Sequence, residues 1–247
     1  MPRKTLLAVF AHPDDELGAA GALLAQRARG DRVVLVYLTR GEATQAFGPV
    51  SREEVARRRE EQAAAIAEIL GVEHRLLDFP DCGVEATPAA ALEVARILAE
   101  LQPDGLVTWG DAWVKGMRHP DHQATGKIAR DAVTLARIAA MVQPTEPHRA
   151  PCPVFTLRGI HSRLPRVTVD VEPWVETIFE LAAFHRKLLG FGDRRWLEDR
   201  LRRAGEAVGV VWGEAFDAWE TEPGTVDALL PALELDGPAH PTRSDDS

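Results

Sequence analysis

The chain has 247 residues, 45% of them hydrophobic and 27% charged, enough for one large domain or at most two small ones. A net charge of −9, with no separate Lys/Arg stripe, argues against a nucleic-acid surface. Two cysteines, Cys82 and Cys152, are too few for a disulfide framework and read as reduced thiols.

The first element is an apolar run over residues 6–11 that ends abruptly in His12-Pro13-Asp14-Asp15-Glu16. A run of this kind reads as a buried strand of a parallel sheet, with the polar cluster where the strand emerges. It is too short for a secretory h-region, and no stretch approaches the roughly 18 apolar residues of a membrane span. The expected location is therefore the cytoplasm. Helical pattern resumes at Leu17, and residues 33–39 read as a second strand ending in Arg40-Gly41-Glu42. A long helix follows, opened by a Ser51/Glu54 capping box and closed at Gly71. A third strand over residues 74–79 runs into Pro80-Asp81-Cys82-Gly83, where Cys82 reads as a small buried residue. A helix over residues 88–101 and a strand over 105–109 come next. A loop carrying Asp111, Trp113, Lys115 and Gly116 then delivers Arg118-His119-Pro120-Asp121-His122 to a helix running towards Met141. Trp109 and Trp113 could stack on a sugar or simply pack; packing is the reading for Trp109, and Trp113 stays open between the two.

Alternating strands and helices predict an α/β, Rossmann-like domain with a mainly parallel sheet flanked by helices. Ligands of such sheets bind outside the carboxyl ends of the strands, and each polar cluster falls there. Beyond Pro144 the pattern loosens. Short strands are expected near residues 154–157 and 167–171, and helices near 174–189 and 195–207. The domain is expected to occupy residues 1–220, with a poorly packed, Pro-rich acidic tail over 221–247.

Three adjacent acids beside a histidine repel one another, and a bound cation relieves that cost. Imidazole with carboxylate suits zinc and related divalent ions. His12 and Asp15 with one histidine of the second cluster make a two-His, one-carboxylate set that leaves a coordination position open, the pattern of a catalytic site. A dinucleotide-binding alternative fails, because Gly18 and Gly21 lack the G-x-G-x-x-G spacing and acids occupy the place where a pyrophosphate needs donors. A non-catalytic sugar- or metal-binding module is the other rival.

These two motifs resemble the PIG-L / LmbE-like family of metal-dependent de-N-acetylases. The resemblance rests on Ala11-His12-Pro13-Asp14-Asp15-Glu16 and His119-Pro120-Asp121-His122, with Thr39, Gly41-Glu42, Arg59 and Gly71-Val72. It covers about residues 5–130, with weaker echoes at 167–171 and 214–216. It implies Zn2+, or another divalent metal such as Fe2+, held by His12, Asp15 and His122. It further implies Asp14 as general base, His119 as the group that stabilises the oxyanion and protonates the leaving amine, and Asp121 orienting or polarising His119. Arg59, Asp81 and Glu42 are expected to bind the sugar. Where some members carry a tyrosine two residues before the first histidine of the second motif, this chain has Met117. The implied reaction removes the N-acetyl group of an N-acetylglucosaminyl conjugate, releasing acetate and a free amine. Another amide or a sugar-linked ester remains an alternative substrate. The expected partner is a small amino-sugar substrate, compatibly with a homo-oligomer.

Overall fold

A computed structural model describes residues 2–110, 119–159 and 161–233. Among these, eight strands form one sheet in the order β3-β2-β1-β4-β5-β7-β6-β8. Strands β1 (Thr5–Phe10), β2 (Arg32–Thr39), β3 (Glu73–Phe79), β4 (Gly105–Thr108) and β5 (Val154–Leu157) are mutually parallel where they pair. The far side adds β6 (Arg166–Asp170), β7 (Gly213–Ala218) and β8 (Gly224–Val226), with β7 antiparallel to both β5 and β6. The expected α/β architecture with a mainly parallel sheet holds.

The pleat of the central strands accounts for the two-sided core. Successive side chains point to opposite faces, so Leu6, Ala8 and Phe10 join one apolar cluster while Leu7 and Val9 join another. The first cluster is covered by α1 (Ala20–Ala28), α2 (Arg52–Leu70), α6 (Val175–Leu189) and α7 (Arg194–Glu206). The second is covered by α3 (Pro88–Leu101), α4 (Pro120–Ala136) and α5 (Ala139–Val142). With both faces covered, continuous apolar runs are needed in β1 and β2, and their residues 6–10 and 33–39 are all buried.

The helix boundaries follow local chemistry. Ser51 caps α2 by accepting from Glu54 N at 3.2 Å, a contact worth about 1 kcal/mol. The reciprocal half of the box is missing, because the Glu54 carboxylate is drawn to Arg57 and Arg58 instead. Gly71 ends the helix in the left-handed conformation (φ 65°). The helix expected to run to Met141 breaks after Ala136 into α4 and the short α5.

The expected tail from residue 221 needs correction. Gly224–Val226 pairs with β6, and Ala228, Leu229 and Leu230 lie in the core. The Gln26 side chain clasps this segment, accepting from Leu230 N at 2.9 Å and donating to Leu230 O at 3.1 Å. The packed domain thus extends at least to residue 233. Residues 234–247, like the loop residues Asp111, Trp113, Lys115, Gly116, Met117 and Arg118, fall outside the described residues.

Candidate active site

Three loops meet at the carboxyl ends of β1, β3 and β4. The β1 loop turns immediately into a short 3-10 helix, Asp15–Gly18, and its backbone determines where the acids go. Asp15 folds back on the strand end: its Oδ2 accepts from Ala11 N and His12 N, each at 3.0 Å. A third donor comes from the residue after β4, the indole Nε1 of Trp109 at 3.1 Å. That leaves Oδ1 facing His122 Nε2 at 3.1 Å. The Trp109 ring also lies flat on His122, with centroids 3.9 Å apart and planes at 7°. Trp109, expected only to pack, therefore orients both Asp15 and His122. Its signal was its place at the end of the fourth strand, where the other polar clusters gather.

The second motif starts α4. His119 is the helix N-cap, and its Nδ1 accepts from Asp121 N at 3.3 Å. That assignment places the ring proton on Nε2. Gly126, one turn after His122, lets α4 lie against β4, since a Cβ there would sit 2.3 Å from Trp109 O. Asp121 is not turned towards His119, whose Nδ1 is 3.9 Å from the nearer carboxylate oxygen. Its Oδ2 instead accepts from Cys82 N at 2.8 Å and meets His12 Nε2 at 3.2 Å, and Oδ1 accepts from Val84 N at 3.2 Å. Cys82 adopts a left-handed conformation (φ 66°), which costs a non-glycine residue about 1 kcal/mol, and that turn aims its N–H at Asp121. Contrary to expectation Cys82 is exposed, with Sγ 3.7 Å from His119 Nε2.

His12 sits at the centre. Its Nδ1 is 3.7 Å from Asp15 Oδ2, and its Nε2 is 3.2 Å from both Asp81 Oδ1 and Asp121 Oδ2. Burial lowers the His12 pKa, but hydrogen bonds to Asp121, Asp15 and Asp81 outweigh it and raise the value to about 12. Asp15 is buried, which raises its pKa, yet His122 and His12 hold it well below the usual carboxylate range. Asp81 is lowered too: its burial is outweighed by His12 and the Ala43 N–H. This concentration of negative potential on one imidazole is also what a cation would meet.

The donor geometry fits a metal ion. Ligand atoms of His12, His119 and His122 lie within 4.8 Å of one another, as do those of His12, Asp81, His119 and Asp121. Asp15 touches His12 and His122 at the distances given above, so the expected set of His12, Asp15 and His122 is brought together. Imidazole nitrogen with carboxylate oxygen is a zinc-type donor chemistry.

Neither of those two groups includes Asp14 or Asp15, and it is their contacts that separate the two: Asp15 faces His122, whereas Asp14 faces Arg59. Its Oδ2 is held by Arg59 at 2.7 Å, and its side chain is 18% exposed. Burial raises its pKa, the Arg59 charge opposes that rise, and the charges of Asp15 and Glu16 add to it. The three expected sugar contacts are all engaged internally. Arg59 is 2% exposed and lies under Gly41, whose positive φ of 67° and missing Cβ make room for the guanidinium. Asp81 accepts from Ala43 N at 2.7 Å, and Glu42 Oε1 accepts from Asp81 N at 3.0 Å, which clasps the β2–α2 loop to the β3–α3 loop. Glu42 Oε2 is buried without a partner among the described residues.

The family model for PIG-L, GlcNAc-PI de-N-acetylase, matches residues 7–133, a span that contains both motifs. The chain belongs to the PIG-L family. A diacetylchitobiose deacetylase of Thermococcus kodakarensis is 29% identical over 189 residues, covering 74% of this chain and 69% of that protein. A 1D-myo-inositol 2-acetamido-2-deoxy-alpha-D-glucopyranoside deacetylase of Catenulispora acidiphila is 32% identical over 175 residues, covering 60% and 57%. The chain thus spans little more than half of this second relative. The solved N,N'-diacetylchitobiose deacetylase of Pyrococcus horikoshii superposes with a TM-score of 0.79 at 24% identity, over 88% of this chain and 84% of that one. A 4-carboxy-2-hydroxymuconate hydratase of Pseudomonas putida shares the fold at a TM-score of 0.73 and 22% identity, over 87% and 95%. One fold therefore hosts different reactions, and in this PIG-L chain the chemistry must be argued from the site.

Proposed function

We propose that this chain is a zinc-dependent hydrolase that removes the N-acetyl group from an N-acetylglucosaminyl conjugate, giving acetate and a free amine. The observation that carries this reading is Asp14. A binding module needs only a donor set, and His12, Asp15 and His122 provide one. An adjacent carboxylate turned to Arg59 instead, yet still reaching solvent, is useful to a hydrolase, which needs a base beside the metal.

A divalent ion held by His12, Asp15 and His122 would supply Lewis acidity to an amide carbonyl and lower the pKa of water. Asp14 accepts the proton of the attacking water through its carboxylate. His119, with its proton on Nε2, faces the same space and donates to the departing nitrogen. His12 and His122 lie beside it, with ring centroids 4.6 and 5.1 Å away. Asp121 keeps His12 oriented and anchors the β3–α3 loop, so its effect on His119 runs through the backbone N–H at the helix cap. The clasp between Glu42 and Asp81 forms the sugar side of the rim. The names of the relatives support the amino-sugar class, and the β2–α2 and β4–α4 loops are the places where the aglycone would be selected.

The test is amine release from a panel of N-acetylglucosamine conjugates, N,N'-diacetylchitobiose among them, before chelation, after it, and after zinc is restored. Metal-dependent release that favours one aglycone supports the reading. No release from any conjugate with metal bound points to another amide, a sugar-linked ester or a binding role.

A further inference from the structure

Beneath Asp14 runs a buried chain of polar side chains that the chemistry above does not use. Arg59 Nη1 donates to Gln62 Oε1 at 2.7 Å, and Gln62 Nε2 lies 3.1 Å from His185 Nδ1. His185 Nε2 lies 2.7 Å from Glu16 Oε1, and the Tyr37 hydroxyl donates to Glu16 Oε2 at 2.7 Å. Gln62 is 2% exposed, and Glu16, Tyr37 and His185 are fully buried. His185 comes from α6, well outside the residues matched by the family model.

We propose that Gln62, His185, Glu16 and Tyr37 form a positioning relay that fixes the plane of the Arg59 guanidinium and thereby the rotamer of the base Asp14. This inference rests on the reading of Asp14 as base. The direction of every bond follows from one end. Arginine can only donate, so Gln62 must present its oxygen to Arg59 and its NH2 to His185. His185 Nδ1 then accepts, which places the ring proton on Nε2, pointed at the Glu16 carboxylate. Glu16 receives donors on both oxygens, and the Tyr37 hydroxyl stays protonated because burial, and then the Glu16 charge, push its pKa well up. Each bond along the chain thus pairs one donor with one acceptor.

The anchoring of Arg59 makes the relay consequential. Its Nε is buried without a partner among the described residues, so the guanidinium is held by its two terminal nitrogens, one on Asp14 and one on Gln62. Those two bonds, together with the covalent stem of the side chain, fix its plane. Without the Gln62 contact the group is free to swing about its bond to Asp14, and the carboxylate loses its fixed aim. Catalytic geometry tolerates little of that looseness.

The experiment uses the zinc-loaded full chain and the N-acetylglucosamine conjugate it turns over fastest. Gln62→Met keeps the volume and removes both bonds. The expected result is a fall in kcat of about tenfold or more, with KM within about twofold and zinc content unchanged. Gln62→Glu restores an acceptor for Arg59 but not the donor to His185, so it recovers part of that loss. Tyr37→Phe, the mildest change, keeps the ring and is expected to lower kcat several-fold with zinc retained. Wild-type kcat in Gln62→Met or in Tyr37→Phe, or equal losses in Gln62→Met and Gln62→Glu, would overturn the relay. Asp14→Asn measured alongside separates the two ideas. Retained turnover there sinks the base assignment, whereas its loss beside an unaffected Gln62→Met sinks the relay alone.

Discussion

Trp109 lies flat on His122 while its indole nitrogen holds the Asp15 oxygen turned away from that histidine. One side chain just past β4 thus orients two of the three expected metal donors, one by stacking and one by a hydrogen bond. Replacing Trp109 by Phe keeps an aromatic surface and deletes the donor to Asp15. Zinc affinity should fall about 10- to 100-fold, read by competition with a chromogenic chelator. An unchanged affinity would mean that the two backbone donors on Asp15 suffice.

Gly126 tests how closely α4 must approach. A methyl group at this position meets the Trp109 carbonyl at 2.3 Å, a backbone atom that cannot move alone. Gly126→Ala should destabilise the chain by about 1–3 kcal/mol, lower Tm by several degrees, and weaken zinc binding as His122 is pushed off Trp109. Thermal unfolding with and without zinc checks both parts.

Glu214 makes a pH prediction remote from the metal. Its oxygens accept from Gly21 N at 3.0 Å and Ala22 N at 2.8 Å at the start of α1, and the side chain is 1% exposed. Burial raises its pKa from 4.5 to about 7, against the opposing pull of Arg200 and the two backbone donors. The folded chain therefore holds this proton where the unfolded chain has lost it. The stabilising contribution is complete below pH 4.5, declines as pH rises through about 7, and is level above that. The unfolding free energy of the wild type minus that of Glu214→Gln should shrink by about 3 kcal/mol across this window. The subtraction removes carboxylates such as Asp81, whose depressed pKa gives the opposite slope. A flat difference from pH 4 to 8 would show that the ionised carboxylate is as well accommodated as the acid.

How much of this was legible in the sequence depends on what each residue buries. Strands β1 and β2 carry unbroken apolar runs, and α3 begins and ends where its proline and its apolar spacing place it. Strand β7 was missed because two of its buried positions are acids: Glu214 caps a helix start, and Asp217 pairs with Arg158 and Ser162. Strand β8 hid in a stretch whose prolines and acids suggested a tail. In the site, the histidines and acids were legible from their spacing and from the family resemblance. The partners of Arg59 and Asp121 were not, because both depend on which loops the sheet order brings together. His185 was invisible for the same reason, lying 169 positions from Glu16 along the chain.

The central claim, a metal-dependent hydrolase with Asp14 as its base, is tested most directly by measuring zinc content and turnover together in wild type, His122→Ala and Asp14→Ala. His122→Ala should lose both. Asp14→Ala should keep near-stoichiometric zinc and lose turnover by a factor of about 100 or more. Near-normal turnover in Asp14→Ala with zinc bound would contradict the account.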